Sequence, residues 1–196
     1  MKALVWEAPR VMTMHEQPIP EPQPGEVIIK VAYAGICGSE LSGFLGHNAL
    51  RVPPLVMGHE FSGKISALGD GVAEHYPALQ PGASVTANPL SVSGESEMQQ
   101  RGLDQLCASR QLLGAHRPGA YAEYVTVPAQ SVAVLPAGMA LRTGALVEPA
   151  ACGVRIGELA GGVAGQDCLI IGAGPIGLLA LQALQLNGAA RVFVAD

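Results

Sequence analysis

Residues 167 to 196 constrain the fold of this chain more than any other stretch. Asp167 to Ile171 reads as a buried-type strand, Pro175 to Leu186 as a helix stopped by Asn187-Gly188, and Arg191 to Ala195 as a second strand. Between the first strand and the helix stands Gly172-Ala173-Gly174-Pro175-Ile176-Gly177. That order is the opening of a βαβ unit. Gly172 permits a tight turn, Gly174 lets backbone approach a pyrophosphate, and Gly177 lets helix and strand pack closely. The helix opened by Pro175 and Ile176 offers free N–H groups and a partial positive charge to phosphates, and Pro175 needs no N–H partner there. Asp196 closes the second strand 19 residues after Gly177. Its carboxylate would accept hydrogen bonds from both ribose hydroxyls and repel a 2′-phosphate, which favours NAD over NADP. The competing reading is a structural glycine turn beside a solvated Asp.

From Met1 to about Val134 the texture is different: short apolar runs punctuated by Pro and Gly. Val27–Tyr33, Phe61–Leu68, Ser84–Ala87, Tyr121–Val127 and Val132–Leu135 read as strands, and many short strands suggest a small β-barrel or sandwich. Gly94 to Arg110 is polar and aperiodic, an excursion on the surface. Thr143 to Leu159 has helical spacing interrupted near Pro149, and the texture changes again at Gly161-Gly162. A doubly wound domain needs two βαβαβ halves to cover its sheet, and only the first strands of one half are present, so the chain is read as part of a longer protein.

Bulk properties remove several classes. Hydrophobic residues make up 49% and charged residues 14%, enough apolar surface for a core and too little charge for a disordered chain. A net charge of -5 with no basic cluster argues against nucleic acid. The four cysteines form no Cys-x-x-Cys pair, so reduced thiols in a cytoplasmic protein are expected. Glu7 interrupts any signal-peptide core, and the glycines and proline of Cys168–Leu186 argue against a membrane helix.

Three donors far apart in sequence carry the chemistry. Cys37 follows a strand end, His59 sits in Met57-Gly58-His59-Glu60-Phe61, and Glu148 is an acid in an apolar stretch before Pro149. A thiolate, an imidazole and a carboxylate suit a catalytic zinc with one open position. Singly, each has an ordinary reading: a buried hydrophobe, a satisfied histidine, a helix-capping or surface carboxylate.

Gly35-Ile36-Cys37-Gly38-Ser39, Gly58-His59-Glu60-Phe61-Ser62-Gly63, Pro118-Gly119-Ala120-Tyr121-Ala122-Glu123-Tyr124, Val147-Glu148-Pro149 and the glycine turn together resemble the zinc-dependent medium-chain alcohol dehydrogenases. Their polyol (sorbitol-like) and threonine dehydrogenase branch is the nearest. The resemblance implies a mixed α+β chain: a GroES-like β-barrel catalytic domain over 1–155, then the truncated start of an α/β Rossmann domain over 156–196. It makes Cys37 and His59 zinc ligands and leaves the third to Glu148 or Glu60. Ser39 matches the hydroxyl that relays the substrate proton. Glu40 stands where an acid, more often Asp, orients the metal-binding histidine. The four positions that often hold a second, structural zinc read Ser93, Ser96, Gln99 and Cys107, a poor donor set, so that ion is expected to be absent. The implied activity is hydride transfer from a small-molecule alcohol or polyol to NAD with one catalytic zinc, in an enzyme that is a homo-oligomer when intact. The chain alone is expected to be inactive. Two alternatives are a non-enzymatic GroES-like remnant and a zinc-free quinone-reductase relative, neither of which needs this ligand set.

Overall fold

The computed structural model of the chain describes residues 1–94 and 96–196, which divide into two compact units, Met1–Ala145 and Leu146–Asp196. The first unit contains β1 (Lys2–Ala8), β2 (Val11–Glu16), β3 (Glu26–Ala34), α1 (Gly38–Phe44), β4 (Leu55–Val56), β5 (Phe61–Leu68), α2 (Val72–His75), β6 (Ser84–Ala87) and β7 (Leu90–Val92). It continues through α3 (Glu97–Gln100), β8 (Arg110–Leu112), β9 (Tyr124–Pro128), β10 (Val132–Val134) and α4 (Leu141–Gly144). Two short 3-10 turns lie at Asp104–Leu106 and Ala129–Ser131.

An antiparallel sheet in the order β10-β6-β5-β3-β9 forms the body of this unit. Side chains alternate across a strand, so residues two apart share a face. Val27 and Ile29 of β3, Phe61 and Ile65 of β5, Val85 of β6, and Val125 and Val127 of β9 therefore meet in one buried core. A second sheet, β2-β1-β4, buries Ala3, Val5 and Val56. The hairpin β1-β2 is not among the strands expected from sequence.

β5, β6 and both strands of the second unit fall where the sequence places them, but β9 opens at Tyr124 rather than Tyr121. The reason lies in the partners of the preceding residues. Gly119 N–H donates to Val56 O, Ala120 to Gly58 O and Tyr121 to Met57 O, at 2.7 to 2.9 Å. That segment is bonded to the loop that carries His59, so it cannot also extend the ladder to β3. The polar excursion contains α3 and a 3-10 turn, and its base is closed by the β7-β8 pair.

The second unit contains α5 (Val147–Leu159), β11 (Asp167–Ile171), α6 (Pro175–Leu186) and β12 (Arg191–Ala195). β11 and β12 pair in parallel from Asp167↔Arg191 to Ile171↔Ala195. Contrary to expectation, Pro149 does not interrupt the helix. It is the third residue of α5, where backbone N–H groups have no intrahelical acceptor, so a missing one is harmless. The boundary expected between 155 and 156 falls inside this continuous helix. α5 packs along α6, with Gly153 so near Ala180 that an added Cβ would stand 2.9 Å from its backbone nitrogen. The whole of α5 thereby groups with β11, α6 and β12.

Candidate metal centre and cofactor turn

β3 ends at Ala34, and Gly35-Ile36 leads to Cys37, the residue before α1. One turn into α1, Glu40 reaches back: its Oε2 accepts from the Cys37 N–H at 3.0 Å. This bond satisfies one of the orphan donors at the helix start and fixes Cys37 relative to Glu40. His59 comes from the other side, on the loop between β4 and β5. Gly58 sets its approach with φ of +99°, and an added Cβ there would stand 2.6 Å from the Tyr121 ring. Both backbone direction and space therefore require glycine immediately before the histidine.

Tyr121 ties the two loops together. Its ring lies against Gly58 and its hydroxyl donates to Gly35 O at 3.0 Å. Burial, followed by the charges of Glu40, Glu60 and Cys37, pushes this phenol above its ordinary value, so it stays a donor.

The side chains of Cys37, Glu40 and His59 bring one sulfur, one oxygen and one nitrogen within 4.8 Å of one another. Tetrahedral zinc with bonds of about 2.0 to 2.3 Å sets its donors roughly 3.5 Å apart, a separation that lies inside this bound. Glu40 is already engaged. Its Oε1 meets His59 Nδ1 and accepts from Arg51 Nη2 at 3.2 Å, while its Oε2 holds Cys37. Burial raises the Glu40 carboxyl, but the His59 bond, the His59 and Arg51 charges and the Cys37 N–H outweigh it, and the net direction is down. An anionic Glu40 on Nδ1 leaves Nε2 as the ring nitrogen that Glu40 does not hold. That is the arrangement of an orienting carboxylate behind a metal-binding histidine.

Glu60 is 8% exposed, with its carboxylate against Gly35 and an oxygen within 4.8 Å of a His59 ring nitrogen. Ser39 is half-buried and its Oγ accepts from Arg51 Nη2 at 3.2 Å. Glu148 lies in the first turn of α5 in the second unit. Arg51 is not a residue that sequence reasoning singles out. It is 4% exposed and holds Ser39 and Glu40 from one nitrogen. A lone arginine in Leu50-Arg51-Val52-Pro53-Pro54 is the only available hint, because its partners are 11 and 12 residues away.

In the lobe, Ser96 caps α3 by accepting from Gln99 N at 3.1 Å, and its Oγ also stands 3.1 Å from the sulfur of buried Cys107. Ser93 is exposed. The serine and cysteine thus meet each other by a hydrogen bond.

At the glycine turn, Gly172 has φ of +105°, and Gly172 N bonds Ala195 O at 2.7 Å. An added Cβ at Gly177 would stand 2.0 Å from Gly172 O, so no other residue fits where helix crosses strand. Gly174 caps α6, Pro175 and Ile176 form its first turn, and space beside Gly174 is open. Asp196 Oδ1 accepts from Ala173 N–H at 2.9 Å, which brings the acid to the turn itself.

Residues 23–137 match the alcohol dehydrogenase GroES-like domain. The chain is 36% identical over 197 residues to galactitol 1-phosphate 5-dehydrogenase of Escherichia coli K12, covering all of this chain and 56% of that protein. The crystal structure of galactitol-1-phosphate dehydrogenase from Escherichia coli superposes with a TM-score of 0.92 at 36% identity, over 99% of this chain and 55% of that one. Sorbitol dehydrogenase of Halalkalibacterium halodurans is 37% identical over 191 residues, 96% of this chain and 54% of that protein. An alcohol dehydrogenase from Escherichia coli CFT073, complexed with cofactor NADH, has a TM-score of 0.92 at 34% identity, over 100% of this chain and 56% of that one. This chain belongs to the zinc-dependent medium-chain alcohol dehydrogenase family and corresponds to its N-terminal portion. It spans about half the length of the curated relatives it matches.

Proposed function

We propose that the protein oxidises an alcohol or polyol, passing hydride to NAD at a catalytic zinc. The observation that carries this reading is the Cys37–Glu40–His59 cluster, with both Glu40 oxygens engaged and Nδ1 of the histidine occupied. Cys37 Sγ and His59 Nε2 are then the protein's first two zinc donors. Glu40 acts behind them, so the third donor is the carboxylate of Glu148 or Glu60.

A zinc ion held there would supply a positive charge that makes a substrate hydroxyl more acidic. The chain's own residues do the rest. Ser39 accepts the proton that the hydroxyl gives up and hands it on towards solvent. Glu40 and Tyr121 hold His59 and Cys37 in place, so no reorganisation is required when substrate arrives. Gly172, Gly174, Pro175, Ile176 and Gly177 seat the pyrophosphate on the N-terminus of α6. Asp196 exchanges the Ala173 N–H for ribose hydroxyls, and its charge disfavours a 2′-phosphate. The first unit serves as the catalytic domain and the second as the start of the cofactor domain. The relatives, among them a galactitol 1-phosphate 5-dehydrogenase and a sorbitol dehydrogenase, support a small polyol or its phosphate as substrate.

The test is metal content and turnover of the intact protein. About one zinc per chain is expected in the wild type, and Cys37→Ser should lose the metal and NAD-dependent polyol oxidation together. A wild type without zinc, or a fully loaded Cys37→Ser, removes the ligand assignment. Glu60→Gln and Glu148→Gln assign the third donor by which one lowers zinc occupancy.

A further inference from the structure

Arg51 is a buried cation at the site, and nothing in the zinc and cofactor chemistry above requires it. Its side chain is 1% exposed and its Nη2 donates to two acceptors, Ser39 Oγ and Glu40 Oε1, each at 3.2 Å. Nε has no hydrogen-bond partner among the described residues. The place is made for it: a Cβ on Gly43 would stand 2.6 Å from Arg51 Cδ, so α1 carries a glycine where the arginine stem crosses. Burying a guanidinium with one nitrogen unsatisfied is costly. A cheaper apolar residue could have filled the same volume.

We propose that Arg51 is a positioning residue that sets the direction of the Ser39 proton while holding Glu40 on His59. This inference rests on the zinc-centred reading. A guanidinium only donates. With Arg51 on one lone pair of Ser39 Oγ, that oxygen cannot direct its own proton back at the arginine. With the same nitrogen and His59 both on Glu40 Oε1, that oxygen has its two partners, while Oε2 holds the Cys37 N–H. The Oε1 that shares Arg51 with Ser39 therefore has no lone pair left for the Ser39 proton. The Ser39 O–H and its remaining lone pair are thereby left for substrate and solvent. One residue thus couples the proton relay to the carboxylate behind the metal-binding histidine. A lysine keeps the charge, but its ammonium rotates freely and lacks the fixed plane in which Nη2 aims its two hydrogens.

The test uses the intact protein with Arg51→Met, Arg51→Lys, Ser39→Ala and the Arg51→Lys/Ser39→Ala double variant. Arg51→Met should weaken zinc binding by about 10- to 100-fold, the span seen when a group orienting a metal ligand is lost. It should also shift the visible bands of the cobalt-substituted protein. Arg51→Lys should recover most of the metal affinity but lower kcat with little change in KM. In the Ser39→Ala background the same Arg51→Lys change should have no further effect on kcat, because the group it positions is gone. Where Arg51→Met does not fold, Arg51→Lys and the double variant decide. Unchanged cobalt bands in Arg51→Met, or rate losses that simply multiply in the double variant, overturn the proposal while a zinc-loaded wild type leaves the functional reading standing. A wild type that binds no zinc overturns both.

Discussion

Glu40 is bonded through both its oxygens at the site, and the cost of removing it is set by its burial. The side chain of its partner Arg51 is 1% exposed and that of Glu40 2%. Deleting one member of such a pair strands the other charge away from water, which costs about 3 to 5 kcal/mol. The Glu97–Arg101 pair makes a useful contrast, with side chains 77% and 59% exposed and atoms 3.6 Å apart. Solvent screens that pair, and its loss should cost no more than about 0.5 kcal/mol. Urea unfolding of Glu40→Ala and Glu97→Ala should therefore differ by several kcal/mol. Equal midpoints would mean that the buried cluster is not formed in solution. The same site shows why one glycine can matter as much as a ligand. Without the backbone direction that Gly58 supplies, His59 would not arrive beside Cys37.

At the scale of elements, the pairing of α5 with α6 gives a sharp test, because two glycines on one helix meet different surroundings. An added Cβ at Gly153 would stand 2.9 to 3.0 Å from backbone atoms of Leu179 and Ala180, which cannot move without separating the helices. At Gly157 the nearest atoms are side-chain atoms of Asn187 and Leu184 at 3.3 and 3.5 Å, which can turn aside. Alanine is favoured over glycine in a helix by about 1 kcal/mol. Gly157→Ala should thus be neutral or slightly stabilising, and Gly153→Ala should cost about 1 to 3 kcal/mol through overpacking. Thermal melts of the two variants would separate these outcomes, and a stabilised Gly153→Ala would contradict the close packing. α5 also explains why Pro149 misleads a reading by composition. A proline stops a helix only where its N–H was needed, and the third position of α5 is not such a place.

For the molecule as a whole, the two units carry different halves of the proposed chemistry, and each half should respond to its own ligand. A ligand that binds only the folded form stabilises it by mass action, locally where its contacts lie. Hydrogen exchange of the intact protein should show zinc protecting the segments around Cys37 and His59, and chelation reversing it. NADH should instead protect the Gly172–Gly177 turn and the end of β12. NADPH should protect less, because Asp196 already stands at that turn. Protection of the glycine turn by zinc alone, or equal protection by NADPH and NADH, would count against this division of labour. Among the described residues, no helix is long and apolar enough to cross a membrane.

What the sequence determined by itself was local. The glycine spacing, the strand before it and the acid after it all lie within one βαβ unit, where chain connectivity limits the geometry, and β11, α6 and β12 fall where periodicity places them. β5 and β6 were legible for the same reason, since their alternation and bounding turns are properties of a few adjacent residues. Ser39, Cys37 and His59 were legible as residue types in recognisable surroundings, and only the family resemblance, not spacing along the chain, gathered them into one site. The tertiary structure decided the rest. It brought Arg51 onto Ser39 and Glu40, clamped the Gly35 and Gly58 loops with Tyr121, and kept Tyr121 out of β9. Those outcomes depend on which buried polar groups find partners once the sheet has formed, and partners 11 to 86 residues apart leave no periodic trace along the chain.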